Sequence, residues 1–163
     1  MSDMKYIFLL ALTATVMTIA TPSRAQVAPN GEDSVRTAVA ALFTGMKDGD
    51  SAEIREAFAD SAILQSAGIG KDGNTVIRNT AIDHFASIIS HLGKGSADER
   101  IHIDVVRIDG LMAVVWAPYS LYFKGNYHHC GVDALQLIRT RKGWKIQYIL
   151  DTERKDACPP GTP

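Results

Sequence analysis

The sequence predicts an α+β fold on three observations. Apolar residues recur at helical spacing through most of the first half, they recur at period two through the second half, and the two patterns do not alternate. Helices gathered ahead of neighbouring strands belong to the α+β class, not to the parallel sheets built from strand–helix–strand units. The chain has 163 residues, enough for one domain. With 17 Lys and Arg against 18 Asp and Glu, 46% hydrophobic and 21% charged residues, it has the composition of an ordinary globular protein. A net charge of −1 provides no basic face for nucleic acid, so no nucleic-acid partner is expected.

The elements follow in order. Val35, Val39, Leu42, Phe43 and Met46 share one face of a helix over 32–46, with Asn30 or Asp33 as its cap and Gly49-Asp50 as its end. Ser51 to Phe58 suits a second, shorter helix. Ala62 to Gln65 and Asn74 to Ile77 read as a weak hairpin around Asp72-Gly73. Ala81, Ile82, Phe85, Ile88, Ile89 and Leu92 form the apolar face of a third helix, which Gly93 to Gly95 stops. Ile101, Ile103 and Val105 then alternate with charged residues, and the phase slips by one at Val106 and Ile108, the mark of a bulge and a bend. Strands over 111–123, 127–140 and 144–150 complete a meander joined by Asp109-Gly110, Lys124-Gly125-Asn126 and Arg141-Lys142-Gly143. A long bent sheet has to curl around something, and the three helices are available.

The first segment reads as an address. Lys5 precedes an uncharged apolar run, Thr21-Pro22 breaks it, and Ser23-Arg24-Ala25 has small residues at the outer positions of a cleavage triplet. That layout predicts a signal peptide over 1–25 and an exported, periplasmic or secreted, mature chain. A membrane anchor is the competing reading, weakened by four threonines and a proline. No cysteine follows the run, so no lipid anchor is expected after cleavage. Residues 26–31 form a polar linker, 32–153 the folded domain, and 154–163 a tail.

Local words add a resemblance. Trp116-Ala117-Pro118-Tyr119, His129-Cys130-Gly131-Val132-Asp133, Gly143-Trp144-Lys145-Ile146 and Asp151-Thr152 resemble the nuclear transport factor 2-like superfamily. Within it they look like the putative lumazine-binding branch, close to the polyketide-cyclase-like (SnoaL-like) proteins. The resemblance implies a cone-shaped curved antiparallel sheet wrapped around three N-terminal helices. It also implies a pocket at the open end and a dimer formed through the sheet. It does not imply one activity, because that fold carries isomerases, dehydratases, cyclases and proteins without catalysis.

Asp133 is the most informative residue. It shares a strand face with Gly131, Leu135 and Leu137, so an inward Leu135 brings the carboxyl inward too. Burial raises a carboxyl pKa and so tunes a general acid or base; the competing reading is a structural partner for Arg78 or Arg107. His129 lies on the same face, roughly 13 Å away along an ideal strand. His128 points to the other face. Trp116, Tyr119 and Tyr127 are candidates for an aromatic pocket around a small apolar or aromatic molecule, against the plainer reading of core and dimer packing. Pro118 marks an edge or a bulge that could turn Tyr119 toward the pocket. His84 and His91 sit at the boundary of the third helix's apolar face; both read as structural, with His84 retained as a pocket candidate.

No glycine-rich phosphate loop, Gly-x-Ser-x-Gly elbow, Cys-x-x-Cys pair or zinc motif occurs, so no cofactor and no metal are expected. Cys130 and Cys158 can pair in an oxidising compartment, or Cys130 can be a small buried residue beside a loose tail. Two function classes remain. One is an exported small-molecule-binding protein. The other is a cofactor-independent lyase or isomerase in which Asp133 and His129 move protons and Tyr119 donates to an oxyanion. Apolar residues on both faces of the last strands predict a homodimer through the sheet.

Overall fold

The computed structural model describes residues 31–163, so the expected signal peptide and all but the last residue of the linker lie outside the described residues. The order is α1 (Gly31–Asp48), α2 (Ser51–Ala57), β1 (Phe58–Ile69), β2 (Thr75–Thr80), α3 (Ile82–Leu92), β3 (Ala97–Ile101), β4 (Val105–Asp109), β5 (Met112–Phe123), β6 (Asn126–Thr140) and β7 (Gly143–Arg154). The sheet runs β2-β1-β7-β6-β5-β3, with β4 also paired to β5. It is antiparallel throughout except that β1 and β7 run parallel. Three helices lie in the curve of an unclosed sheet, which makes the architecture α+β.

Local chemistry explains the helices. The Asp50 carboxylate accepts hydrogen bonds from the backbone N–H groups of Ala52 and Glu53, capping α2. The apolar face of α1 buries Val35, Val39 and Leu42 against Ile54, Leu137 and Ile146. Polar ties brace the same packing: Trp144 Nε1 donates to Ser34 Oγ at 3.2 Å, and Lys145 reaches Glu56.

The weak hairpin is larger than its sequence suggests, because β1 gains a second partner in β7. The slipped phase near Val105 is the expected bulge, and it forms the β3–β4 break. From Ile101, opposite Tyr119, to Val105, opposite Trp116, the β3–β4 side has one residue more than β5, while His102 N and Asp104 N still donate to Pro118 O and Trp116 O of β5. Pro118 lies opposite that break, where its carbonyl accepts from His102 N at 2.9 Å. It therefore sits within a central strand, not at an edge, and opposite the bulge, where the ladder is irregular.

Cys130 and Cys158 are joined by a disulfide with Cα atoms 5.8 Å apart. The tail leaves β7, passes Cys130 on β6 and brings Gly161 beside His102 and Asp104 at the β3–β4 break. The outward residues along that path, Pro118, Ser120, Cys130 and Val132, are buried. Farther along the same strands the outward residues Met112, Val114 and Trp116 are exposed. The tail thus covers one end of the outer face and leaves the other bare.

Candidate functional site

The site is a cavity between the helices and the inner face of the sheet. Strand alternation turns Asp133, Leu135 and Leu137 inward together, and all three are buried. Register places Asp133 directly opposite Asp151 on β7. Glu99 enters from β3, in phase with the inward Ala97. The cavity holds about 140 Å³. Leu42, Phe43, Phe58, Leu64, Phe85 and Ile149 form its apolar side, and Glu99, Asp133 and Asp151 form its acidic side. It continues to a mouth lined by Tyr119, Leu121, His129 and Glu153.

Asp133 is 4% exposed, and its Oδ2 is enclosed without a hydrogen-bond partner. Burial, opposed by a hydrogen bond from Glu99 and assisted by the charge of Asp151, pushes its carboxyl up to about 7. Burial raises Glu99 well above the usual carboxylate range, and the adjacent Asp133 charge adds to the rise. The surface that Glu99 retains faces the cavity. Asp151 is raised by burial, against a 2.8 Å hydrogen bond from Ser66 Oγ and the charge of Arg78. No lysine or arginine lines the cavity among the described residues. Three carboxyls in one low-dielectric space cannot all ionise cheaply, so burial and their mutual repulsion raise all three. Among the described residues no three His, Cys, Asp or Glu side chains are arranged to hold a metal ion.

The structure separates the sequence candidates. Asp133, His129 and Tyr119 line the cavity or its mouth. Trp116, 49% exposed, lies on the outer face, because it alternates out of phase with the inward Ala117 and Tyr119. Tyr127 is also exposed, and its hydroxyl donates to Lys155 O at 3.3 Å in the tail. His84 is exposed on α3. These three side chains do not line the cavity, which corrects the aromatic-pocket expectation for Trp116 and Tyr127 and the pocket reading of His84.

Two further expectations change. The Tyr119 hydroxyl is spent on the Thr152 carbonyl at 3.1 Å, so it is not a free oxyanion donor. Gly131 permits this close approach, since a Cβ there would lie 1.8 Å from the same carbonyl oxygen. His129 does not pair with Asp133. Its Nδ1 lies 2.7 Å from Nδ1 of His128, and burial lowers its pKa against the opposing charge of Glu153. The group that shares a proton with Asp133 is Glu99. Neither arginine considered as a structural partner reaches Asp133: the charge of Arg78 bears on Asp151, and Arg107 donates to Val106 O.

The sequence profile of the family described as "Putative lumazine-binding" matches residues 30–148. The chain belongs to this family. Solved structures place the putative lumazine-binding chain in the nuclear transport factor 2-like fold. A protein of that type with a cystatin-like fold, from Novosphingobium aromaticivorans, shares 14% identity at a TM-score of 0.62, covering 78% of this chain and 84% of its own. One of unknown function from Shewanella baltica shares 16% identity at 0.59, covering 77% and 94%. One described as a putative dehydratase, from Streptomyces avermitilis, shares 15% identity at 0.57, covering 78% and 99%. At such identities the likeness concerns the fold alone. No curated protein matches the chain in sequence.

Proposed function

We propose that this family member is an exported small-molecule-binding protein whose ligand enters at the open end of the cone and docks on Asp133. One observation carries the reading: a buried carboxylate oxygen without a partner, facing a cavity rather than packed protein. A polar atom in that state costs stability, and a ligand that completes its hydrogen bonding recovers the loss. Native mass spectrometry of the protein purified from its host tests this directly. The expected result is a bound small molecule that Asp133→Asn loses while the variant stays folded. Retention of the same molecule by the variant would remove Asp133 from the site.

Export belongs to the same proposal. The mature protein is expected to begin near Gln26, because Ser23-Arg24-Ala25 suits a signal peptidase. N-terminal sequencing checks this, and a soluble pool starting at Met1 or Met4 contradicts it.

A homodimer through the outer face of the sheet completes the reading. Val105, Met112, Val114 and Trp116 are more than a third exposed there, beside Ala134, Tyr148 and Leu150. Such a patch needs a cover. Light scattering at micromolar concentration is expected to give twice the chain mass, and Trp116→Glu to give a monomer. A monomeric parent would refute the dimer.

A second reading is a lyase or isomerase, as the description of the Streptomyces avermitilis neighbour suggests. The observation that favours it is an Asp133 carboxyl held near neutral pH, where it can both accept and return a proton. Glu99, not His129, is then the group that exchanges the proton with it.

A further inference from the structure

The contents of the cavity narrow the ligand class. Its acidic side gathers Glu99 from β3, Asp133 from β6 and Asp151 from β7. No cationic side chain of the described residues lines it, and Asp133 Oδ2 is unpartnered inside it. Its other side is aromatic and aliphatic, led by Phe43, Phe58 and Phe85. The interior volume of about 140 Å³ matches cavities that hold one benzene-sized ring, roughly 150 Å³. Among the described residues no three His, Cys, Asp or Glu side chains are arranged to hold a metal ion.

We infer that this cavity takes a small organic cation, a protonated amine on an apolar body about the size of one six-membered ring. The ammonium group sits against Asp133, Glu99 and Asp151, and the body sits against the three phenylalanines. The inference rests on the proposal that the cavity is a ligand site, and it names the ligand's charge and size. An ammonium group supplies three donors and no acceptor, which answers an acceptor-rich wall. It also supplies the positive charge that lets Asp133 ionise beside the other carboxyls.

Binding is therefore coupled to proton release. The titratable and charged groups facing Asp133 are Glu99 from β3, Tyr119 from β5, His129 on its own strand, and Asp151 and Glu153 from β7. The Arg78 charge on β2 bears on Asp151. The helices contribute Leu42, Phe43, Met46, Phe85 and Ile89 to the walls, none of them titratable. With Asp133 held up to about 7, the free protein carries a proton that the bound amine displaces. Affinity for an amine that stays charged should rise about tenfold per pH unit below 7 and level off above it.

The test compares benzylamine with benzyl alcohol and toluene by calorimetric titration at pH 5.5, 6.5 and 8, in two buffers of different ionisation enthalpy. Benzylamine is expected to bind at least about tenfold more tightly than benzyl alcohol at pH 8, with net proton release at pH 6.5. Asp133→Asn should erase most of that preference and flatten the pH dependence while leaving toluene affinity within about twofold. Glu99→Gln, on a different strand, should weaken benzylamine in the same direction, so the result does not hang on one variant. Toluene and benzyl alcohol binding as tightly as benzylamine, without proton release, would overturn the cationic class and leave the pocket reading standing. If none of the three probes binds protein stripped of any carried ligand, the inference falls together with the pocket reading for ligands of this size.

Discussion

Replacing Cys158 with serine is expected to lower the free energy of unfolding by about 3–4 kcal/mol. The disulfide joins residues 28 apart, and the chain-entropy account of closing a loop of that length gives this magnitude. The structure adds a second contribution. The tail is fixed on the outer face at Cys130, where Pro118, Ser120 and Val132 are buried, and it is otherwise held by such ties as the Tyr127 hydroxyl on the Lys155 carbonyl. Release would wet an apolar end of the sheet as well as enlarge the unfolded ensemble. For a domain of this size the melting temperature should fall by roughly 10–15 °C. Thermal unfolding of parent and variant, with thiol counting on the non-reduced parent, checks both parts. Two free thiols in the parent, or an unchanged melting temperature, would refute the role given to the bond.

Asp133→Asn is expected to stabilise the protein above pH 7, the reverse of the usual result for a buried acid. When a buried carboxylate pairs with an arginine, removing it strands a charge and costs stability. Here its neighbours are Glu99 and Asp151, so removing one ionisable group relieves repulsion. The pH window follows from the raised pKa. Asp133 ionises near 4 in the unfolded chain and near 7 in the folded one. The native state therefore holds a proton that the unfolded state has released. The stabilisation this provides is complete below about pH 4 and is lost as the pH rises through 7. Its size is on the order of a few kcal/mol. Asparagine cannot ionise, so the variant should be the more stable protein at pH 8 and close to the parent at pH 4. Glu99 and Asp151, both raised, leave a residual slope. Urea unfolding at pH 4, 6 and 8 decides the matter; a variant less stable than the parent at pH 8 would mean that an unrecognised cation serves Asp133.

Read together, the two variants separate the parts of the molecule. The disulfide acts on the outer face and the tail, whereas Asp133 acts on the inner face and the cavity. The cysteine variant should keep its ligand wherever it remains folded. The asparagine variant should keep its fold and lose the ligand.

The sequence by itself determined the class of fold and the inward face of β6. Helical spacing of Val35, Val39 and Leu42 and strict alternation around Leu135 and Leu137 are local properties, set by 3.6 residues per helical turn and two per strand repeat. That periodicity was enough to turn Asp133 inward beside its leucines. Glu99 was legible on the same principle, since it falls in phase with Ile101, but an acid at the start of a charged strand is easily read as solvated. Asp151 was not legible. The alternation of Trp144, Ile146, Tyr148 and Leu150 assigns it to the outer face. A register shift between Gln136 and Leu137 on β6, opposite residues 146–148 of β7, inserts one residue and brings Ile149 and Asp151 inward. A bulge is a property of two paired strands, so one strand's pattern cannot locate it. Only the tertiary structure decided which acids share a cavity, that Glu99 rather than His129 stands beside Asp133, and that Trp116 and Tyr127 face away. Those contacts join residues distant in sequence, and their pairing depends on how far the sheet curves around its helices.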